Sequence, residues 1–468
     1  MGSAPSSGPG AAARRQQPVP WREVFSGALG RLAFGLFLLE ALTAVQILVV
    51  ATVMPVIARD LSGLRLYGWA FSGGGLATVI TIPLGGMAVD RIGPRKPFVV
   101  ALGAFAAGTL LAGAAPTMPV FIAGRFLQGL GAGGEYAVGL GAVAKGFPEA
   151  HRARLLALIA VAWVLPGLLG PSYGALLAST IGWRWAFFTV LPLLAGAGWL
   201  TIRSFAGVAI PSPEDRPLNV RQALLLAAGA AAFLGGLTLA SVRATPIVAV
   251  GLIVGIPAAI GLVRGASEQP GLAVGLVAGF LLSFSFFAVD GFVPLLLTRL
   301  RGRSVAEASI VVTLATVSWS AGSWWQSRVS GRSRPRTLVS AGAAAICLGA
   351  GGVAAGLLHG TPLVIPYVAW TVAGVGMGVA YPTVYLVTMD RAGRGTEGVA
   401  VSLLLLLDSL GVATGAGLGG AAIAIARNAG AGLRTGLGAA FGLAAVAGLG
   451  LLALTPALPS SHGTDGSY

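Results

Sequence analysis

Five ionisable residues lie inside long apolar stretches of the chain, where a charge is hard to accommodate. They are Glu40, Arg125, Glu135, Asp290 and Asp408. On insertion scales a charged side chain at the centre of a membrane helix costs about 2.5 to 3.5 kcal/mol, so such residues are functional candidates by default. A carboxyl group removed from water holds its proton to higher pH. These residues therefore indicate the uptake and release of protons in an apolar environment, and we predict proton coupling by this set.

Two of the helices that carry these residues have polar stripes. The first stripe, within an arc of about 120° at 100° per residue, consists of Glu40, Thr43 and Gln46. The second, within about 80°, consists of Arg125, Gln128 and Glu135. The predicted substrate cavity is lined by Glu40, Thr43, Gln46, Gln128 and Asp290. Two alternatives stay open, since Glu40 could form a structural ion pair with Arg125 and Asp290 could be a solvated residue at the rim.

The composition shows what kind of scaffold must position these groups. Hydrophobic residues make up 56% of the chain, charged residues only 10%, and the mean hydropathy is +0.86. A soluble chain carries about 25% charged residues. The 72 glycines lie within long apolar stretches, as in transmembrane helices that pack backbone to backbone. The sequence is therefore that of an integral membrane protein.

The same composition excludes several kinds of chemistry. One cysteine, Cys347, and three scattered histidines indicate neither a disulfide nor a metal site. Neither lysine, Lys96 or Lys145, is followed by Ser or Thr, which excludes a phosphate-binding loop of the ATPase type. The positive charges are distributed between apolar blocks rather than grouped on one face, so a nucleic-acid partner is not expected. We expect no cofactor, with the proton gradient as the energy source.

The apolar stretches predict fourteen transmembrane helices, because about 20 apolar residues cross the bilayer. They lie near residues 31–57, 67–88, 97–115, 119–145, 154–180, 185–205, 222–241, 245–263, 271–298, 305–327, 337–358, 363–388, 398–425 and 435–456. With the N-terminus inside, roughly two thirds of the 30 Lys and Arg residues fall in cytoplasmic segments, which predicts that both termini are cytoplasmic. Arg299, Arg301 and Arg303 are a local exception to this rule.

The chain divides at its most polar loop, residues 211–217. The predicted units are an N-terminal tail, a six-helix bundle, a central loop with two extra helices, a second six-helix bundle and a C-terminal tail, at residues 1–21, 22–206, 207–269, 270–456 and 457–468. A weak internal repeat supports this division. The run Gly86-x-x-x-Asp90-Arg91-x-Gly93-x-Arg95-Lys96 is matched in spacing by Ser323-x-x-x-Ser327-Arg328-x-Ser330-x-Arg332. Such duplication is typical of secondary transporters.

The run from Gly86 to Lys96 resembles the signature of the major facilitator superfamily. Two further stretches resemble motifs of its drug:proton antiporters, namely Arg125-Phe-Leu-Gln128-Gly129-Leu-Gly131 and Gly170-Pro171-Ser-Tyr-Gly174. The run Trp183-Arg184-Trp185-Ala-Phe-Phe188 resembles the entrance of helix six in the fourteen-helix branch. The chain departs from that branch at Gln46, where an acid is usual, and at Pro166, where glycine is usual.

The resemblance implies an all-α membrane fold with two six-helix bundles, an inserted helix pair and fourteen transmembrane helices. It further implies a cytoplasmic gate formed by Gly86, Asp90, Arg91, Gly93, Arg95 and Lys96, and an antiporter-type helix with Gly167, Gly170, Pro171 and Gly174. The expected activity is proton-coupled export of amphipathic drugs from the cell across the plasma (inner) membrane, by alternating access and by a monomer, and hence antibiotic resistance. Two alternatives remain: an exporter of an endogenous lipid or lipid-linked metabolite, and a non-transporting sensor or scaffold.

Overall fold

A computed structural model describes residues 27–146, 162–205, 220–266, 271–392 and 397–458. In these ranges all regular secondary structure is helical. The α-helices are α1 Gly27–Asp60, α2 Trp69–Ile92, α3 Arg95–Gly113, α4 Met118–Gly146, α5 Val164–Thr180, α6 Trp185–Phe188, α7 Leu191–Ser204, α8 Val220–Leu239, α9 Thr245–Ala266, α10 Leu272–Asp290, α11 Val293–Arg299, α12 Val305–Val329, α13 Pro335–Ala355, α14 Val364–Asp390, α15 Glu397–Asn428 and α16 Gly432–Leu454.

Twelve spans in the described ranges are long and apolar enough to cross a membrane. The two further spans predicted from the sequence correspond to α4 and α5. Helix α4 contains Arg125, Glu135 and many glycines, which lower its hydropathy, and α5 has 17 described residues. Large apolar side chains such as Val100, Ile253 and Leu348 are about 70% exposed, as expected where the surface meets lipid. The count of fourteen stays a prediction.

We refer to α1–α7 as the first half, α8 and α9 as the inserted pair, and α10–α16 as the second half. The Asp60 end is the end of the bundle where α1 finishes and α2 begins, and the Gly27 end is the opposite one. In the first half α4 packs against α2 and α3, and α1 packs against α5 and α7. In the second half α14 packs against α12 and α13, and α10 packs against α15 and α16.

The Trp-Arg-Trp run closes the first half at the Asp60 end. The Trp183 indole and the Arg184 guanidinium both donate to Asp60 Oδ2, at 3.0 and 2.9 Å. Arg184 also donates to the carbonyl of Ala115 and stacks on the Trp183 ring. One carboxylate thus joins the end of α1 to the segment before α6.

Arg301 explains part of the exception to the positive-inside rule. Its guanidinium donates to the carbonyls of Gly356, Leu358 and Thr361, beyond the end of α13. These carbonyls have no intrahelical donor. The charge on Arg301 therefore has a local structural use.

Replacing this guanidinium should destabilise the second half. We expect Arg301→Gln to lower the free energy of unfolding by about 1 to 3 kcal/mol, because three carbonyls, two of them in part-buried bonds, would lose a charged donor. Arg303→Gln is the matched control, since Arg303 forms an exposed ion pair with Glu307 at 3.4 Å, worth about 0.5 kcal/mol. Thermal denaturation in detergent measures both, and equal effects would contradict the assignment.

The inserted pair packs against the outside of both halves. Helices α8 and α9 pack against each other, and α8 also contacts α2 and α15. Arg65 donates to the carbonyls of Thr238 and Leu239, and the Trp69 indole donates to Thr238 Oγ1 at 3.1 Å. The pair is therefore fastened to the first half at the Asp60 end.

The two halves meet between the middle of the molecule and the Asp60 end. The Tyr67 hydroxyl donates to the carbonyl of Gly291 at 2.9 Å, and its ring packs on Phe292. Gly68 and Gly420 face each other without side chains, so the backbones of α2 and α15 approach closely. One buried apolar core crosses between the halves here, whereas the first half has a separate core around Leu32, at the Gly27 end.

Candidate functional site

Two acidic residues of the first half, Glu40 and Glu135, lie close together in the middle of the bundle. Glu40 on α1 is half-buried, and its Oε1 accepts a hydrogen bond from the Trp163 indole at 2.8 Å. Glu135 on α4 is only 7% exposed, and its buried Oε1 has no hydrogen-bond partner among the described residues. The two carboxyls lie within electrostatic range of each other. The two acids therefore share one region of the first half.

The second half contributes an acidic centre built on two helices. Ser283 on α10 donates to Asp408 Oδ1 on α15. The hydroxyl of Tyr381 on α14 lies next to the same carboxylate and donates to the hydroxyl of Tyr385 at 3.2 Å. Asp408 is half-buried. Its charge is thus solvated by hydroxyl groups rather than by a cation.

Tyr136 connects the two acidic centres. It follows Glu135 on α4 and lies within electrostatic range of both Glu40 and Asp408. Tyr381 and Tyr385 lie within range of Tyr136 as well. Carboxyl and hydroxyl groups of both halves therefore form one polar cluster, which we call the central cluster: Glu40, Glu135, Tyr136, Ser283, Tyr381, Tyr385 and Asp408.

The tyrosines and Ser283 of this cluster were not among the site residues predicted from the sequence. A usable signal was present, because Tyr381 and Tyr385 are four residues apart and so share one face of an apolar helix. Tyr136 follows an acid that was selected. The missing information was which faces of α4, α14 and α15 point at one another.

Asp290 lies away from the central cluster, at the end of α10. It is half-buried and accepts a hydrogen bond from the Trp370 indole at 2.9 Å. Phe286 stacks on Trp370 and contacts Trp319, whose ring packs on Tyr381. A continuous aromatic wall thus runs from Asp290 to the central cluster.

Arg125 has oxygen partners other than the carboxylates. Its Nε donates to the carbonyl of Ala70 at 3.1 Å, and its terminal nitrogen donates to Gln128 Oε1 at 2.7 Å. The Gln128 amide in turn donates to Thr109 Oγ1 at 2.8 Å. The ion pair with Glu40 that the sequence left open is not formed, because Arg125 is held by α2 and its own helix. In this conformation Arg125 positions helices rather than pairing with an acid.

This network should need the shape of arginine and not only its charge. We expect Arg125→Lys to lower the free energy of unfolding by about 1 to 3 kcal/mol, because an ammonium group cannot replace both donors and a buried acceptor would be left unsatisfied. Thermal denaturation measures the loss. Arg203→Lys is the control, since Arg203 is exposed and stacks on Trp199. A wild-type midpoint for Arg125→Lys would contradict this role.

Of the polar residues predicted to line the substrate cavity, Thr43 is half-buried and Gln46 is buried. The Gln46 amide donates to the carbonyl of Ala186 at 3.0 Å, which ties α1 to α6. Gln128 is held between Arg125 and Thr109. These bonds bury both amides, so in this conformation neither faces a substrate.

The predicted gate forms the tight turn between α2 and α3. Gly93 ends α2 with a φ of +75°, a conformation that suits glycine. Arg91, Arg95 and Lys96 are exposed around it. The backbone of Asp90 lies in the last turn of α2, and its side chain lies outside the described part of the structure. Gly86 has open space where a Cβ would lie.

The glycine face of α5 packs against both halves. Gly167 faces Thr316 on α12, whereas Gly170 and Gly174 face Leu48 and Val49 on α1. Pro171 is buried on the same helix. The small residues allow α5 to lie between α1 and α12.

Comparison with known proteins places this fold. The sequence profile described as the Major Facilitator Superfamily matches residues 36–416. The chain belongs to that superfamily. Its predicted fold class, an all-α integral membrane protein of the major facilitator type, is confirmed. The superfamily consists of transporters, so the chain is a multi-pass membrane transporter and not an enzyme.

Several relatives within the superfamily are similar along much of the chain. A probable multidrug-efflux transporter of Mycobacterium tuberculosis is 27% identical, and the alignment covers 92% of this chain and 95% of that relative. A multidrug resistance protein B homolog of the same species is 29% identical over 60% of this chain and 48% of that relative. A crystal structure of a peptide transporter, POT, covers 94% of this chain and 100% of that chain, with a TM-score of 0.67 and 16% identity. The last likeness shows a shared fold.

Members of the superfamily carry small substrates, usually work as monomers and generally need no cofactor. Within the described residues, no group of three or more His, Cys, Asp or Glu could hold a metal ion. The functional groups that the site itself presents are carboxyl, hydroxyl and aromatic groups.

Proposed function

We propose that this transporter exports amphipathic drugs in exchange for protons. The observation that carries the proposal is the central cluster, in which acids of both halves lie within electrostatic range of one side chain, Tyr136. A proton that binds there changes the charge between the halves. It therefore changes the relative energy of the two arrangements of the halves, which is what coupling requires. The names of the multidrug-efflux relatives support the choice of substrate.

In this scheme Glu40 and Asp408 exchange the proton, Glu135 lies within electrostatic range of Glu40, and Tyr136 lies within electrostatic range of both Glu40 and Asp408. The half-buried ring of Trp319 provides an apolar and cation–π surface for a lipophilic cation, and the buried rings of Phe286 and Trp370 hold this wall in place. Asp290 provides a negative charge at the end of that wall. Arg125 holds the scaffold around the cluster.

The topology of this scheme has fourteen transmembrane helices, with α4 and α5 counted as spans. We place both termini in the cytoplasm of a cell bounded by the plasma (inner) membrane, with bundles at residues 22–206 and 270–456 and the inserted pair between them. The halves touch at the Asp60 end, which is then the outer end. The conformation is accordingly inward-facing, and the turn from Gly86 to Lys96 latches the cytoplasmic ends in the opposite state.

The test uses the full-length protein in liposomes with an imposed pH gradient and a fluorescent lipophilic cation. We expect dye movement that depends on the gradient and stops when a protonophore dissipates it. Folded wild-type protein that moves no dye under any gradient would contradict drug export. Dye movement indifferent to the protonophore would contradict proton coupling alone.

A second candidate, the export of a lipid or lipid-linked metabolite, is supported by a lateral groove. This groove, of about 730 Å³, lies between the inserted pair and the first half. Its lining is mainly apolar and includes Leu66, Trp69, Met118 and Leu239. Transfer of a labelled lipid between leaflets without dye movement would favour this candidate. If the folded protein moved neither dye nor lipid, that result would favour the non-transporting sensor or scaffold.

A further inference from the structure

Three arginines at the Asp60 end surround a small pocket between the halves. The pocket has a volume of about 170 Å³. Arg59 comes from the last turn of α1, Arg299 ends α11, and Arg303 precedes α12. The remaining lining residues are Pro55, Val56, Thr298, Ser304 and Val305. The pocket therefore joins the first half to the second half at the place where they meet.

The charges around this pocket are not balanced. Arg303 pairs with Glu307. The neighbouring Asp60 accepts hydrogen bonds from Trp183 and Arg184, and it also lies within electrostatic range of Arg59. The side chains of Arg59 and Arg299 have no hydrogen bond or ion pair with any described residue, and both are exposed. Two guanidinium groups from opposite halves thus face one pocket, and their repulsion opposes the contact between the halves.

The first turn of α12 adds no positive potential to the pocket. Ser304 caps this helix, and its hydroxyl accepts from the backbone of Glu307 at 3.1 Å. The Glu307 carboxylate accepts in return from the Ser304 backbone at 2.8 Å, so a carboxylate of this chain already offsets the positive end of the helix dipole and the arginines alone supply the charge. Arginine forks bind the oxygens of phosphate groups by paired hydrogen bonds. The positive-inside rule disfavours arginines on the outer side, and Arg301 and Arg303 have structural partners whereas Arg299 does not.

We propose that this pocket binds a phosphate group, with Arg59 and Arg299 as its ligands from the two halves. The chemistry is that of an anionic phospholipid head group or of free phosphate. A bound phosphate cancels the repulsion and bridges α1 to α11, so it stabilises the contact between the halves at the Asp60 end. Its effect on transport rests on the proposed alternating access, whereas the binding itself does not.

The experiment measures the thermal midpoint of the purified full-length protein in detergent. We titrate with phosphatidylglycerol, with phosphatidylcholine as the zwitterionic reference, and with inorganic phosphate at constant ionic strength. We expect phosphatidylglycerol to raise the wild-type midpoint more than phosphatidylcholine does. Protection by inorganic phosphate, with competition against the lipid, would identify the ligand as the free anion. Protection by the lipid alone would identify it as the head group.

Single variants assign the site. Arg59→Gln and Arg299→Gln should each weaken the apparent affinity about tenfold, because each removes a charge-assisted donor. Arg243→Gln should not, since Arg243 is exposed at the same end but outside the pocket. The proposal would be overturned if Arg59→Gln and Arg299→Gln kept the wild-type affinity. It would also be overturned if Arg243→Gln lost as much affinity as those two variants.

A charge reversal provides a test that does not depend on loss of function. In Arg299→Glu a carboxylate would face Arg59 across the contact and replace the bound anion. We expect this variant to have a higher midpoint than Arg299→Gln without anionic lipid, and no response to phosphatidylglycerol. A lower midpoint, or a retained response, would overturn the bridging role. Because no transport is measured, failure here is distinct from failure of drug export.

Discussion

Asp408→Asn should reduce proton-driven export to the level of empty liposomes while substrate exchange without a pH gradient persists. Asparagine preserves the size of the side chain and its oxygen acceptor for Ser283, so the fold around it should remain. It cannot exchange a proton. The charge between the halves then stays constant through the cycle, and the gradient loses its means of favouring one arrangement. Exchange needs only the substrate-loaded protein to move between its two states.

The matched control for this variant is Ser283→Ala. It removes the hydroxyl that donates to Asp408 but leaves the carboxyl group in place. We expect gradient-driven export to continue, with a shifted pH dependence, because the carboxylate would lose one stabilising hydrogen bond. The assignment to Asp408 would be contradicted if Asp408→Asn exported like the wild type. It would also be contradicted if Ser283→Ala lost all gradient-driven export while Asp408→Asn did not.

The same assay applied to the first half separates its two acids. Glu40→Gln should behave like Asp408→Asn if protons pass through both acidic centres. The carboxyl of Glu135 is more deeply buried than that of Glu40, and its Oε1 has no partner among the described residues. Glu135→Gln therefore tests whether Glu135 only influences Glu40 or carries the proton itself. We expect Glu135→Gln to retain proton coupling with an altered pH profile.

Gly420→Ala should shift the protein away from the conformation described here. A Cβ at Gly420 would lie 2.5 Å from the Cα of Gly68, across the contact between α15 and α2. Because the opposing atoms belong to the backbone, α2 or α15 would have to move. Overpacking of this kind costs about 1 to 3 kcal/mol, which corresponds to a change of roughly 5- to 150-fold in the ratio of the two arrangements.

The consequence for transport is a protein held open at the Asp60 end. We expect slow export, together with increased labelling of a cysteine introduced at Ser72, which is fully buried here. Gly103→Ala is the control, because nothing lies within 4 Å of the added Cβ. If Gly420→Ala transported and labelled like Gly103→Ala, the close approach of α2 and α15 would not restrict the movement.

The gate and the phosphate pocket lie at opposite ends of the molecule. Gly93 shapes the turn between α2 and α3 at the Gly27 end, whereas Arg59 and Arg299 face the pocket at the Asp60 end. In the proposed cycle one end closes as the other opens. A phosphate that stabilises the Asp60 end would therefore oppose the latch formed by the gate.

Local properties of the sequence were sufficient for the membrane class, the helices and the candidate acids. Hydropathy and the expense of a charge in lipid are properties of single segments, so Glu40, Asp290 and Asp408 could be selected without knowing their neighbours. The superfamily motif was recognisable because its spacing is confined to one short turn.

Only the tertiary structure decided which of these groups meet. A buried guanidinium needs oxygen acceptors, but a carboxylate, an amide and a carbonyl all satisfy it, and the packing of α4 against α2 selected Ala70 and Gln128 for Arg125. The rotation of α4 and α14 brought Tyr381 next to Asp408 and Tyr136 within electrostatic range of it, and separated Asp290 from it. Contacts between segments far apart in the chain depend on how whole helices pack. No periodicity within one helix determines that packing.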